Sequence, residues 1–274
     1  MAIPNRTLND GHELPAIGLG TYGLRGEAGT AAIVSALGAG YRLLDTALNY
    51  ENEREVGDAV TASSVPRADI RVTTKLPGRH HGFDETLASF DESRANLGLD
   101  FVDLYLIHWP LPRVNKYIDS WRAMIRLRDE GAVGSIGVSN FTPEQITRLL
   151  AETGVPPAVN QVELHPRFGQ APLRTFDTDH GILTESWSPL GQGIAAEPVI
   201  VEIAEAHGVT PSQVVLRWHL ELGAVPIPKS GDPQRQRENI DVFAFTLTES
   251  ELAAIDSLES GRLWGADPES HEEF

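Results

Sequence analysis

The feature that most constrains this chain is a rhythm. Eight short apolar runs recur along its 274 residues, spaced by helical patterns: Ile17–Gly20, Tyr41–Asp45, Ile70–Lys75, Phe101–His108, Ser135–Val138, Ala158–Glu163, Ile182–Trp187 and Ala224–Pro228. Most are rich in Val, Ile or Leu, as parallel strands buried on both faces are. Between them lie helical stretches such as Ala31–Ala39, Thr86–Asn96, Tyr117–Glu130 and Pro143–Ala151. The seventh connection carries two, Glu197–Ala206 and Pro211–Leu222, and Glu249–Leu258 closes the series. Eight βα units in about 250 residues predict an α/β fold, a (β/α)8 TIM barrel with an N-terminal β-hairpin and extra helices. A doubly wound sheet is the runner-up, and it usually stops at about six or seven strands or adds a second domain. The hairpin is expected over about 5–16, with Asp10-Gly11 at its turn. Residues 1–274 read as one domain. Its end, about 259–274, is a loop and an acidic tail, "ADPESHEEF", expected to be solvated.

Charge and cysteine usage narrow the function. The formal net charge is −17, which repels a polyanion, so no nucleic-acid partner is expected and any anionic ligand needs a local cationic site. No apolar run approaches a membrane span and no secretory signal opens the chain, so a cytoplasmic protein without membrane contact is the default. The chain has no cysteine, which excludes disulfides, a thiol nucleophile and thiolate metal sites. The loop pair His80-His81 has neither ligand spacing nor a nearby carboxylate and reads as solvated, so no metal is expected. Only three of the 22 basic residues are lysines: Lys75, Lys116 and Lys229. Lys75 and Lys229 both end strand-like runs, where a solvated charge is not expected.

In a TIM barrel the chemistry sits at the C-terminal strand ends. Read there, the second strand ends in Asp45 with Tyr50 in its loop, the third in Lys75 and the fourth in His108. Singly, Asp45, Tyr50 and His108 are ordinary helix-cap, packing and core residues. Together they form a proton-donating site. A buried Lys75 needs an anion, which Asp45 supplies. A phenol is a poor acid at neutral pH, but an adjacent ammonium should lower the pKa of Tyr50. His108 can orient a carbonyl oxygen that gains negative charge as hydride reaches its carbon.

A second signal points elsewhere. Gly18-x-Gly20-x-x-Gly23 matches a dinucleotide-binding Rossmann fingerprint, with Asp45 22 residues on. Its context fails: Tyr22 puts a bulky ring in the loop, the helical pattern becomes clear only near Ala31, and Asp45 is wanted beside Lys75. The stretch "IPKSGDPQRQREN" is the better phosphate site. Lys229 and Ser230 end a strand, Gly231 permits close approach, Asp232-Pro233 starts a helix, and Arg235 and Arg237 follow.

At these residues the chain resembles the aldo-keto reductase superfamily, nearest to the short-loop bacterial group that includes diketogluconate reductases. The likeness runs from the hairpin to about residue 262 through "GYRLLDTALNYENE", "TTKL", "DLYLIHWP", "GVSNF", "NQVELHP", "SWSPLG" and "IPKS" followed by "RQREN". The resemblance implies an NADPH-dependent reductase of aldehydes and ketones, using NADPH/NADP+. Tyr50 would be the general acid and Lys75, Asp45 and His108 its partners. It implies that Lys229, Ser230 and Arg235 hold the adenosine 2′-phosphate and that Glu238 and Asn239 contact adenine. Ser139, Asn140 and Gln161 would meet the carboxamide, Trp187 would stack on the nicotinamide, and Ser188, Leu190 and Gln192 would line the pyrophosphate. Gly20, Thr21 and Tyr22 would lie near the nicotinamide, and Tyr22, Asn49, Trp109 and Trp264 would wall the substrate pocket. Pro77 stands where many relatives carry Trp, so the pocket is expected to be wider or reshaped there. The substrate is a small carbonyl or alcohol, and the chain reads as a monomer. Two rivals remain: an NADP(H)-binding redox-sensing subunit of the same fold, and a Schiff-base aldolase with Lys75 or Lys229 as nucleophile.

Overall fold

The computed structural model describes residues 3–273. Asn5–Thr7 (β1) and Glu13–Pro15 (β2) pair antiparallel with Arg6 opposite Leu14. Their turn closes through Leu8 N–H to His12 O at 2.8 Å, and Gly11 takes the left-handed conformation (φ +88°) that such a turn requires.

Eight parallel strands follow: β3 (Leu19–Gly20), β4 (Leu43–Asp45), β5 (Arg71–Leu76), β6 (Val102–Ile107), β7 (Val133–Ser139), β8 (Val159–Glu163), β9 (Leu183–Trp187) and β10 (Val225–Pro226). Each lies beside its chain neighbour. The first and last also meet. Gly18 N–H donates to Pro226 O at 3.1 Å and Gly20 N–H to Pro228 O at 3.2 Å, and Gly20 bridges Lys229, which closes the sheet into the expected barrel. Two glycines of the fingerprint, Gly18 and Gly20, belong to this seam; Gly23 lies outside it with left-handed backbone (φ +74°). A Cβ on Gly18 would stand 2.7 Å from Ile227 and 2.8 Å from Leu43, and one on Gly20 would stand 3.1 Å from the Ile227 carbonyl.

Period-two alternation explains the apolar runs. Leu43, Leu104, Leu106, Val159, Val225 and Ile227 fill the barrel interior with Leu8 and Leu14 of the hairpin. Their neighbours Leu44, Val72, Tyr105, Ile107, Ile136 and Val138 pack outward under the helices. These are α1 (Gly26–Ala39), α2 (Glu53–Ala62), α3 (Phe83–Leu97), α4 (Tyr117–Asp129), α5 (Pro143–Thr153), α6 (Ala171–Asp179), α7 (Pro198–His207), α8 (Pro211–Glu221), α9 (Pro233–Ile240) and α10 (Glu249–Asp256). Capping boxes Thr142–Gln145, Thr210–Gln213 and Thr248–Glu251 start α5, α8 and α10.

One expectation is corrected. α1 opens at Gly26, three residues after Gly23, and not near Ala31. Its first turn, Gly-Glu-Ala-Gly, has weak helix propensity, but tertiary contacts override it. Glu55 accepts the Gly26 N–H at 2.7 Å, and Asn52 holds the preceding loop through the carbonyls of Thr21 and Leu24. The distance from glycine to helix is therefore no argument against the fingerprint; the barrel seam is.

Candidate active site

The C-terminal ends of β4, β5 and β6 bring Asp45, Lys75 and His108 to one rim. Tyr50 follows in the loop after β4, on a 3-10 turn over Leu48–Tyr50. Lys75 is fully buried. Its Nζ donates to Asp45 Oδ1 at 2.7 Å and to Thr46 O at 3.0 Å, and sits 5.1 Å from the centre of the Tyr50 ring. Burial favours the neutral amine, but Asp45 and Tyr50 reverse that and hold the ammonium above its ordinary range. A permanently charged lysine is not the free amine a Schiff-base mechanism needs.

Tyr50 departs from the sequence expectation in direction. Its pKa is raised, because burial favours the neutral phenol more than Lys75 favours the phenolate, with Asp45 adding to the rise. The phenol therefore keeps its proton until a stronger base develops beside it. The Tyr50 ring meets His108 edge-on at 5.7 Å and Tyr22 at 5.1 Å.

Behind the ion pair runs a buried carboxyl network that sequence reasoning missed. Gln161 on β8 donates from Nε2 to Asp45 Oδ2 at 2.8 Å and to Glu185 Oε2 on β9 at 2.6 Å. Glu185 is fully buried, with Oε1 unpartnered; burial and the neighbouring Asp45 push its carboxyl well above the ordinary range. With both amide protons spent, the oxygen of Gln161 is the part of its side chain left for a ligand. Asn140 is similarly occupied: Nδ2 donates to His108 O and Ser139 Oγ, both at 3.0 Å, and Oδ1 accepts from Trp187 Nε1 at 2.8 Å. The last bond pins the Trp187 ring. Asn140 (φ +64°) and Ser188 (φ +50°) both hold left-handed backbone at this rim.

A cleft of about 500 Å3 opens over these groups, in the range of small-molecule sites. Gly20, Thr21, Tyr22, Asp45, Tyr50, His108, Trp109, Asn140, Gln161, Trp187, Ser188, Leu190, Gln192, Lys229 and Trp264 line it. Lys75 lies beneath it and Ser139 behind Asn140. Ser230, Gly231, Arg235, Glu238 and Asn239 stand beyond the lining. Lys229 corrects an expectation: its side chain is exposed, unlike that of Lys75. Among the described residues it has no ion-pair partner. Arg235 is also exposed, Glu238 accepts from Gln234 at 2.8 Å and Asn239 is buried. The start of α9 is not free to cradle a phosphate with its amides. Asp232 Oδ1 already accepts the N–H groups of Gln234 and Arg235, at 2.8 and 3.1 Å. An anion there has side chains to meet it: Lys229, Ser230 and Arg235.

Two further expectations fail. His81 is buried, and burial lowers its pKa to about 4; His80 shares a hydrogen bond with Ser89 at 2.9 Å. His81 is therefore not a solvated loop residue, whereas His80 is half-buried, and among the described residues no cluster suits a metal ion. The acidic tail is only partly solvated: Asp267, Glu269 and Ser270 are exposed, Pro268 is buried, and Phe274 lies outside the described residues. Glu273 reaches the rim, where its Oε1 lies 2.8 Å from His108 Nδ1 and accepts from Asn49 Nδ2 at 2.7 Å. It fills the side of the pocket at Pro77-Gly78 that the sequence left open. Asn49 thus meets the tail rather than lining the cleft. Trp264 is 46% exposed, its loop tied down by Leu263 N–H donating to the buried Glu163 at 2.7 Å.

Residues 16–260 match the family model described as Aldo/keto reductase family. The chain belongs to the aldo/keto reductase family. It is 58% identical over 274 residues to 2,5-diketo-D-gluconic acid reductase B of Corynebacterium sp. (strain SHS752001), with 99% of both chains covered. It is 46% identical to morphine 6-dehydrogenase of Pseudomonas putida, over 97% of this chain and 94% of that one. Among solved structures, a variant of Gox0644 in complex with NADPH superposes with a TM-score of 0.95 at 43% identity, covering 99% of each chain. This aldo/keto reductase is accordingly an NADP(H)-dependent oxidoreductase of carbonyl groups. Among the described residues no helix is long and apolar enough to cross a membrane.

Proposed function

We propose that Tyr50 is the proton donor of the carbonyl reduction and that the cleft takes small, polar, sugar-derived aldehydes and ketones. The observation that carries this reading is the buried ammonium of Lys75, held between Asp45 and the Tyr50 ring. NADPH, when bound, supplies the hydride. As the carbonyl oxygen gains negative charge, it becomes a base strong enough to take the phenolic proton. Lys75 stabilises the phenolate left behind, and Asp45 keeps Lys75 charged and in place. His108 orients the oxygen. Gln161, Asn140 and Ser139 meet the nicotinamide amide, with the Gln161 oxygen as acceptor and Trp187 as the flat face. Lys229, Ser230 and Arg235 meet the 2′-phosphate.

The sugar-derived class is supported by the similarity to the diketogluconic acid reductase and by polar Thr21, Asn140 and Gln192 among the aromatic walls. The chain acts as a monomer, and the absence of cysteine suits a reducing cytoplasm. The test is NADPH consumption against a panel of aldoses, keto-sugars, keto-acids and aromatic aldehydes. The reading expects the highest kcat/KM among keto-sugars and their acids. A panel in which only bulky hydrophobic ketones react would overturn the substrate class, and NADPH binding without turnover on any carbonyl would favour the sensing subunit.

A further inference from the structure

The carboxylate of Glu273 is built into the rim from a distance of 165 residues along the chain from His108, and three consecutive strand ends converge on it. His108, just after β6, places Nδ1 2.8 Å from Glu273 Oε1, within ion-pair distance though not aligned as a hydrogen bond. Asn49, after β4, donates to the same oxygen at 2.7 Å, and the backbone N–H of Gly78, after β5, donates to Oε2 at 3.2 Å. Both partners of the ion pair are largely buried, at 12% and 15% exposure. Burial alone would raise the carboxyl, but His108, Asn49 and the Gly78 N–H outweigh it and lower it to about 2.

The segment carrying Glu273 is seated at several points. Gln145 donates to Pro268 O at 3.4 Å, the His271 ring packs on Trp109 at 4.3 Å, and Arg113 N–H donates to Glu272 at 2.8 Å. The sequence makes room for it. A Cβ on Gly78 would lie 2.0 Å from the Glu273 carbonyl oxygen, so only glycine lets the segment settle there. Pro77 beside it leaves out the bulk of an aromatic ring.

An imidazole flanked by a carboxylate at one nitrogen keeps a proton on that nitrogen and loses rotational freedom. Resting on the reductase reading above, we propose that Glu273 is a positioning residue for the reaction: it fixes the ring of His108 through Nδ1 and pairs with the ring protonated at both nitrogens, whose Nε2–H donates to the carbonyl oxygen. The carboxylate balances the positive charge the ring then carries. The rim is then complete only with segment 268–273 in place, and the grip on the carbonyl depends on a residue outside the barrel strands.

The test compares wild type with Glu273→Gln, which keeps the shape, and Glu273→Ala. Glu273→Gln is expected to lower kcat about ten- to a hundredfold, the cost of a reacting group misplaced by about an ångström. NADPH affinity, read by tryptophan fluorescence, should be unchanged. Formate should restore part of the activity to Glu273→Ala and none to Glu273→Gln. Wild-type kcat in Glu273→Gln, or an absence of formate rescue, would overturn the proposal. A readout independent of turnover is the imidazole nitrogen NMR spectrum, assigned with His108→Gln. The proposal expects a protonated Nδ1 in wild type and its loss in Glu273→Gln, whereas the same protonation state in both would refute it. Should wild type reduce no carbonyl, the reductase reading fails alone and this spectrum still decides the role of Glu273.

Discussion

Replacing Lys75 by Met removes the single cation inside the rim while preserving the length of the side chain. Two hydrogen bonds disappear, to Asp45 Oδ1 at 2.7 Å and Thr46 O at 3.0 Å. Asp45, whose side chain is 6% exposed, is left with the Gln161 amide and with Glu185 as its acidic neighbour. Breaking one partner of a buried ion pair costs about 3–5 kcal/mol, because the remaining charge is uncompensated. In a domain of this size about 1 kcal/mol shifts Tm by about 2 °C, so the variant should melt about 6–10 °C lower. Adding Asp45→Asn to Lys75→Met should return most of that loss. The new amide keeps an oxygen for Gln161 and gains an N–H for Thr46 O. The double variant should therefore be more stable than either single one, measured by thermal and urea unfolding, and all three should be catalytically crippled. Losses that simply add would refute the argument that charge compensation, rather than packing, is what Lys75 and Asp45 supply each other.

Two further outcomes follow from the same structure. Asp177 is buried under Thr184 and Asn160, and burial raises its pKa from 3.8 to about 7 despite those hydrogen bonds. The fold prefers the protonated form, so stability is full below about pH 4 and falls as pH rises towards about 7, by at most about 4 kcal/mol. Asp177→Asn should raise the urea midpoint at about pH 8 and leave it unchanged at about pH 4; an equal shift at both would contradict this. Lys229→Ala should weaken NADPH about ten- to a hundredfold and NADH far less, since a charged hydrogen bond to phosphate is worth about 1.5–3 kcal/mol. Equal losses for both cofactors would remove Lys229 from the 2′-phosphate.

Much of this was legible in the chain because barrel strands announce themselves as doubly buried apolar runs, and because rim chemistry sits where those runs stop. Asp45, Lys75 and His108 each end a strand, so fold and candidate site were read from the same positions. The illegible parts were decided by burial and long-range contact. The rise in the Tyr50 pKa depends on how deeply the ring is covered, which its proximity to lysine does not reveal. Glu185 and Glu163 looked like ordinary strand residues; an acidic side chain at a strand end or two positions before it was the available signal. The start of α1 at Gly26 rests on Asn52 and Glu55, distant in sequence. Glu273 sat in an acidic stretch indistinguishable from solvated chain, although Pro77-Gly78, lacking bulk at the opposite wall, was its complement. Lys229 showed the reverse error: a strand-end lysine can be exposed.

The central claim is that Tyr50 gives its phenolic proton to the carbonyl oxygen as hydride from NADPH reduces the carbonyl carbon. Its most direct test is the NADPH-consuming kcat of Tyr50→Phe on a keto-sugar, measured beside the affinity for NADPH. The account predicts a loss of at least about 100-fold in kcat with cofactor binding intact, because the hydroxyl acts in the transition state. A variant that keeps most of its kcat would show that the proton comes from another group.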